Sequence, residues 1–345
     1  MSKYSICRAA HVNVYLDALR AIGAPVDKKL ASSGLPIWME EHPDARVNQP
    51  LAMELVAACA GDFAPMELGF FAAERATLDT LDPSFQRSLV DAISGQTRLE
   101  TLIRGIHRED SAMAVRTRRE GAHVRIVCDM SHLSNHRHIH FNEWLNLQGI
   151  TSIIGSVAGR KWRSIEYTFM SRHTPPDAAL EAYGNTRILV GQARTSLLVD
   201  ADVLTRPCMI REMTPPRAWK DAAYQVANND QSSELSLTDA LRSVIRPYLE
   251  EGRTDLDHIA EMLGLSSRTL QRRLQQSGRS YSEIVQEARF EVARDMLAEP
   301  DAKIIDVAMM AGYERPQHFS RAFRRFTGVS PRQYRKATSA ALGEP

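Results

Sequence analysis

The sequence predicts two domains of different class: an α+β domain over residues 1–227 and an all-α domain with two helix-turn-helix motifs over residues 239–337. Three observations carry this reading. A chain of 345 residues exceeds what a single core usually supports, so two folding units are expected. The polar stretch NNDQSSELSLT, residues 228–238, interrupts the apolar periodicity on both sides and reads as a linker. Strand-like segments occur only before it, and an internal repeat of helical segments occurs only after it.

In the first part, helical spacing of apolar residues runs through Val14 to Ile22, Leu51 to Ala60, Leu99 to Ile106 and Phe141 to Val157. Extended, β-branched stretches lie between and after them, at Met113 to Thr117, Val124 to Asp129, Ile165 to Phe169 and Arg187 to Val190. This mixture is the pattern of an α+β domain. Beyond the linker, helical faces follow one another at Leu241 to Leu249, Leu256 to Leu263, Arg268 to Gln276, Tyr281 to Leu297, Ile304 to Ala311 and Gln317 to Phe326. Residues 338–345 are expected as a flexible tail.

Composition narrows the function classes. With 43 Lys+Arg against 42 Asp+Glu the formal net charge is +1, so charge has to be read locally. Cys7, Cys59, Cys128 and Cys208 are far apart and form no CxxC pair, as expected of reduced thiols and not of a disulfide frame or zinc site. No segment approaches the roughly 20 apolar residues of a membrane span, and the N-terminus lacks a signal-peptide core. A soluble, cytoplasmic protein with no membrane partner is expected.

The repeat is the most informative feature. IAEMLGLSSRTLQRRL (Ile259 to Leu274) and VAMMAGYERPQHFSRAF (Val307 to Phe323) stand about 49 residues apart, and Ala260 and Ala308 each precede a Gly, Gly264 or Gly312, by four residues. The small Ala lets two helices approach, the Gly accepts the left-handed geometry that ends the first, and Ser266 can cap the second. This is a helix-turn-helix plan, whose second helix can enter the major groove of DNA.

Charge follows the same plan. Residues 266–279 carry four Arg and no acid, and residues 315–336 carry six Arg and one Lys and no acid. The segment between them instead holds Glu283, Glu287, Glu291, Asp295 and Glu299. A single Arg cluster is usually a solvated helix face. Two clusters at equivalent places in a repeat are what a phosphate-facing surface requires.

On these residues the C-terminal part resembles the AraC/XylS family of transcription regulators, whose signature falls on Gly312, Phe319, Ser320, Phe323, Phe326, Gly328, Ser330, Pro331 and Tyr334. The resemblance covers about 100 residues. It implies a seven-helix domain in which the Tyr281 to Leu297 helix joins two motifs that read successive major-groove segments of double-stranded DNA. Its base-facing positions fall on Arg268, Gln271 and Arg272 in the first recognition helix and on Gln317, His318, Ser320 and Arg321 in the second. The side-chain chemistry agrees, since Arg pairs with guanine and Gln with adenine. Phosphate contacts are expected from Ser266, Arg273, Arg324 and Arg325. Pro316, a departure from the family pattern, suits the first turn of a helix.

The N-terminal part resembles the arabinose-binding-type sensor domain of a large AraC subgroup. The likeness rests on Leu51 to Phe70, Arg137 to Trp144 and Tyr183 to Pro207. Members of that subgroup are tied to diverse small molecules, so the resemblance implies a small-molecule effector and not specifically a sugar. The absence of a cupin-like strand series argues against a sugar-binding barrel. Trp144, Trp162 and Tyr167 are candidates for lining an effector pocket, although aromatics at such spacing are more often core. The family further implies a homodimer, an activating role and RNA polymerase as partner, with no cofactor.

Two rival readings concern the same domain. It could serve as a dimerisation module without ligand, although it is far larger than a dimer contact requires. It could also be a metal-dependent enzyme using the cluster His132, His136, His138 and His140, because alternate and i,i+4 imidazoles can converge. Glu143 is the only nearby carboxylate, HExxH is absent, and no GxSxG, phosphate-loop or GxGxxG motif occurs. A polar loop entering the Phe141 to Val157 helix is the expectation, with no catalytic or metal-binding residues.

Overall fold

The computed structural model of the chain describes residues 5–133, 136–159, 162–208, 236–250, 252–298 and 302–341. Two compact units result, Met1–Glu234 and Leu235–Pro345. Residues 228–235 of the expected linker lie outside the described residues, as does the boundary at residue 227.

The N-terminal unit opens with strand β1 (Ile6–Arg8), helices α1 (Ala9–Ala21) and α2 (Val26–Leu30), strand β2 (Arg46–Asn48) and helices α3 (Gln49–Ala60) and α4 (Pro65–Ala73). β1 and β2 pair antiparallel, and α1 to α4 enclose an apolar cluster that includes Leu16, Leu19, Val47, Leu55 and Leu68. The chain continues with α5 (Pro83–Asp91), α6 (Gly95–Gly105), β3 (Ala114–Glu120), β4 (His123–Asp129) and α7 (Glu143–Ala158). It then runs through β5 (Glu166–Thr168), α8 (Asp177–Tyr183), β6 (Arg187–Leu189), β7 (Thr195–Asp200) and α9 (Ala201–Thr205).

β3 to β7 form one sheet in the order β3-β4-β7-β5-β6, antiparallel except for the β5–β6 pair. Alternation divides its faces. Val115, Ile126, Cys128, Tyr167, Leu197 and Val199 face the core with α6 and α7, while Arg116, Arg118, Arg125 and Glu166 belong to the opposite face. The sheet is open, with β3 and β6 at its edges, in keeping with the expectation that no barrel forms.

The four expected strands are present within a few residues, and the four expected helices are α1, α3, α6 and α7. β7 was not expected, yet it is the central strand. Its TSLLVD sequence is buried at both sheet faces near its start, so it lacks the alternation that marks a half-exposed strand.

Glu143 explains how α7 is fixed on this sheet. Its carboxylate is 3 % exposed and accepts hydrogen bonds from the Met170 N–H (2.6 Å), the Ser171 N–H (3.0 Å) and the Thr195 hydroxyl. His140 Nδ1 lies 3.0 Å from the same carboxylate. An acid at a helix N-terminus is also favoured by the helix dipole.

The C-terminal unit is helical: α10 (Leu237–Ile245), α11 (Leu256–Met262), α12 (Ser267–Gln276), α13 (Tyr281–Leu297), α14 (Ile304–Met310), α15 (Pro316–Thr327) and α16 (Pro331–Ala341). These are the seven helices that the resemblance implies, counted among the described residues. Two expected boundaries shift. Ser236 caps α10 by accepting the Asp239 N–H at 3.1 Å, so the last three residues placed in the linker already belong to the helical unit. α16 runs to Ala341, four residues into the expected tail. The Ala residues at 337, 340 and 341 favour helix, which explains the continuation.

Candidate nucleic-acid interface

The two helix-turn-helix units are built by the same backbone device. In the first, Gly264 has φ +65° and its N–H reaches the Glu261 carbonyl, while the Leu265 N–H returns to the Ala260 carbonyl at 2.9 Å. In the second, Gly312 has φ +74°, its N–H reaches the Met309 carbonyl, and the Tyr313 N–H returns to the Ala308 carbonyl at 2.9 Å. Left-handed glycine with this bond pair is the Schellman ending of a helix. It turns the chain so that α12 and α15 leave at equivalent places. Ala260 and Ala308 are fully buried, as the close approach of helices demands.

The second helices start differently but in the same register. Ser266 caps α12, its hydroxyl accepting the Thr269 N–H at 3.2 Å. Arg315 holds the corresponding place before α15, with no side-chain cap, and Pro316 fills the first turn. Residue 266 therefore corresponds to 315, and each position in α12 to one 49 later in α15.

That register fixes the faces. Leu270 and Leu274 are buried in the first unit, and Phe319 and Phe323 in the second. At about 100° per residue, the outward stripe of α12 is Arg268, Gln271, Arg272 and Gln275, and that of α15 is Gln317, Ser320, Arg321 and Arg324. All are exposed except Ser320, which is half-buried. Six of the seven expected base-facing residues thus share these two stripes. His318 is exposed but stands one step round the helix, alongside Arg325. Gln275 was not singled out from sequence, although its place seven residues after Arg268 marks it.

The remaining cations divide into outward and structural ones. Arg324 and Arg325 are exposed, Ser266 is exposed at the start of α12, and Arg273 is half-buried. Arg279, part of the first Arg cluster, turns back to α13, where it donates to Glu287 and lies 3.8 Å from Glu283. Arg335 donates to the Ala302 carbonyl at 2.5 Å. The acids of α13 are engaged by other cations too, Arg242 lying 3.1 Å from Glu291 and Arg246 2.7 Å from Asp295. The scaffold thereby neutralises itself and leaves the two stripes positive.

The N-terminal unit contains a mainly apolar cavity of about 100 Å³ bounded by residues of β1, α1, α3, α6 and α7, among them Val56, Leu102, Leu145 and Ile150. One end is polar, with His11, Gln49, Glu109 and Asp110. Burial alone would raise the Glu109 pKa, but His11 at 2.9 Å, Arg8 at 3.1 Å and the Asp82 N–H at 2.9 Å outweigh it and hold it at about 2. Asp110 shifts the other way, because burial raises its pKa more than its hydrogen bonds to Ala112 and Gln49 lower it.

The aromatic candidates for the effector pocket lie elsewhere. Trp144 and Tyr167 are 1 % and 0 % exposed in the core, where Trp144 stacks on Tyr183 and lies 4.5 Å from Phe169 between ring centroids. Trp162 is half-buried at the margin of that core and lines an open groove with Arg163 and Tyr183. Large aromatic surfaces favour such clustering, which is why the core claimed the first two.

The histidines divide between two carboxylates. His136 and His138 each lie 3.5 Å from Glu54, whereas His140 turns to Glu143, whose carboxylate is already held by the bonds described above. The His132 side chain lies outside the described residues. Among the described residues no group of three or more His, Cys, Asp or Glu is arranged to hold a metal ion, and no single helix is long and apolar enough to cross a membrane. The free thiols of Cys7, Cys59 and Cys128 are buried, and burial raises the pKa of each.

Residues 259–337 match the profile of a helix-turn-helix domain, and residues 23–208 match the arabinose-binding domain of AraC transcription regulator, N-term. The chain belongs to the AraC family of transcription regulators. It is similar to the HTH-type transcriptional regulator VirS of Mycobacterium tuberculosis, 24% identical over 334 residues and 96% of each chain. Its C-terminal part is similar to the transcriptional activator NphR of Rhodococcus sp, 35% identical over 96 residues, which are 28% of this chain and 29% of that one. Among solved structures it is similar to the transcriptional regulator CdpR of Pseudomonas aeruginosa, with a TM-score of 0.38 at 18% identity, covering 90% of this chain and 96% of that one. This AraC-family regulator therefore combines an arabinose-binding-type N-terminal domain with a DNA-binding helix-turn-helix region.

Proposed function

We propose that this AraC-family regulator is a one-component switch: a small molecule bound in the N-terminal cavity alters how a homodimer engages operator DNA and, through RNA polymerase, activates transcription in the cytoplasm. The observation that carries the DNA-reading part is the pair of equivalent stripes, Arg268/Gln271/Arg272 and Gln317/Ser320/Arg321, which combine exposed guanidinium and amide groups. Arg and Gln discriminate guanine and adenine in the major groove. Ser266, Arg273, Arg324 and Arg325 would add phosphate contacts that set register without reading bases, and His318 a flanking contact.

A regulatory and not an enzymatic role is supported by the same geometry. Of the carboxylates beside the histidines, Glu143 is used up in fastening α7 and Glu54 is bonded by Arg137. The cavity supports ligand control over a purely dimerising module, since it is apolar with a few polar groups at one end, as small-molecule sites are.

Selection of bound sequences from a random DNA pool by the full-length protein tests the reading. Recovered sites should contain two motifs about one helical turn, roughly 34 Å, apart. Recovery of no common sequence would reject sequence-specific binding. For the switch, a metabolite that raises the melting temperature must also change operator affinity, because coupling between sites is reciprocal.

A further inference from the structure

The polar end of the N-terminal cavity has the wrong chemistry for an acid and the right chemistry for a hydrogen-bond donor. Gln49, at the start of α3, is 4 % exposed and lines the cavity. Its Nε2 donates to Asp110 Oδ2, while its Oε1 is buried without a hydrogen-bond partner. With Asp110 ionised, the opposite amide orientation would set oxygen against carboxylate, which leaves the acceptor as the unpaired atom. A buried unpaired acceptor is costly, and a ligand's donor would relieve that cost.

The neighbours strengthen the preference. Glu109 is an anion already bonded by Arg8, His11 and the Asp82 N–H. Arg8 lies behind it and is engaged by Asp44 and the Thr80 carbonyl as well. The residues lining the cavity include no Lys or Arg, and His11, their one basic residue, is turned to Glu109. A carboxylate entering here would meet a fixed negative charge, and no cation among the lining residues is free to offset it.

We propose that the cavity takes a mainly apolar molecule with an uncharged or cationic hydrogen-bond-donating head, an alcohol or an amine, which donates to Gln49 Oε1, and that it rejects the corresponding carboxylate. The proposal rests on the effector-binding reading of this domain and specifies its ligand class.

The test uses the full-length protein and three probes with one skeleton: hexan-1-ol, hexylamine and hexanoate. The first two should raise the melting temperature by about 2–4 °C at concentrations about five times their dissociation constants, and hexanoate should not. Gly149, in α7, lines the cavity, and a Cβ there meets no atom within 4 Å, so Gly149→Leu should occupy part of the space and abolish both shifts. Gln49→Leu should weaken the alcohol and amine responses together. A hexanoate shift equal to theirs overturns the head-group assignment. Absence of any shift, or shifts that survive in Gly149→Leu, overturns the site. Shifts of the expected pattern that leave operator affinity unchanged would uphold the site and its ligand class and sink the switch reading instead.

Discussion

Gly312 sits so close to Leu249 that a Cβ built on the glycine would lie 2.5 Å from the Leu249 carbonyl oxygen. The turn of the second helix-turn-helix unit is thereby seated on the backbone that follows α10, and its φ of +74° closes the helix end. Gly328 ends α15 with φ +82° but has open space where a Cβ would go. Gly328→Ala should lose only the left-handed preference, about 1–2 kcal/mol. Gly312→Ala should lose that and a further ~1–3 kcal/mol of overpacking. Thermal melts of the two variants should rank in that order; equal losses would mean that the Leu249 contact yields freely.

Base reading and phosphate contact can be separated along α15. Arg272 and Arg321 occupy equivalent places in the two stripes, whereas Arg324 ends its stripe one turn beyond the N-terminal half that enters a groove. Arg272→Ala and Arg321→Ala should each cost on the order of 1–3 kcal/mol and relax preference at a different base pair. Arg324→Ala should weaken all sequences alike and lower the salt slope by about 1. Binding to single-base operator variants at several salt concentrations checks this, and a uniform loss in all three variants would reduce the Arg stretches to an electrostatic patch.

The C-terminal unit should stand alone. Leu241, Val244 and Ile245 of α10 are fully buried within it, and Ser236 caps its first helix. A fragment starting at Ser236 should be helical by circular dichroism and bind operator DNA more weakly than the full-length protein, because a linked second copy raises effective concentration. An unfolded fragment would place the domain boundary elsewhere.

Acid sensitivity should concentrate at Glu109. Its folded pKa of about 2 lies below the unperturbed 4.5, so its stabilising contribution is present above pH ~4.5 and fades as pH falls toward 2. That contribution is on the order of 3 kcal/mol, for a side chain 1 % exposed. Asp110, whose pKa is raised, acts in the opposite sense and does so in wild type and variant alike. Glu109→Gln should therefore be destabilised most at neutral pH, where Arg8 is left buried without its partner. The gap from wild type in denaturant melts should narrow between about pH 5 and pH 3; a constant gap would contradict the assignment.

The amino-acid order alone determined the helical domain, because a helix declares its buried face within a few turns. The internal repeat located both second helices, with Leu270 and Leu274, and Phe319 and Phe323, as their inward residues, the family resemblance supplied the base-facing positions, and Gly264 and Gly312 marked the turns through local backbone need. His318 is carried over with the other positions, although its place one residue before Phe319 sets it about 100° round the helix from that buried side chain. In the N-terminal domain tertiary structure decided more. β7 enters the centre of the sheet between strands 66 and 27 residues earlier in the chain, measured from Thr195 to Asp129 and Thr168, a pairing that no local pattern encodes. Trp144 and Tyr167 were claimed by the core through contacts with distant rings. The cavity is assembled from β1, α1, α3, α6 and α7, so its lining and the orphaned Gln49 oxygen exist only once those segments meet. Periodicity reports which residues avoid water, whereas a site depends on which buried groups then find one another.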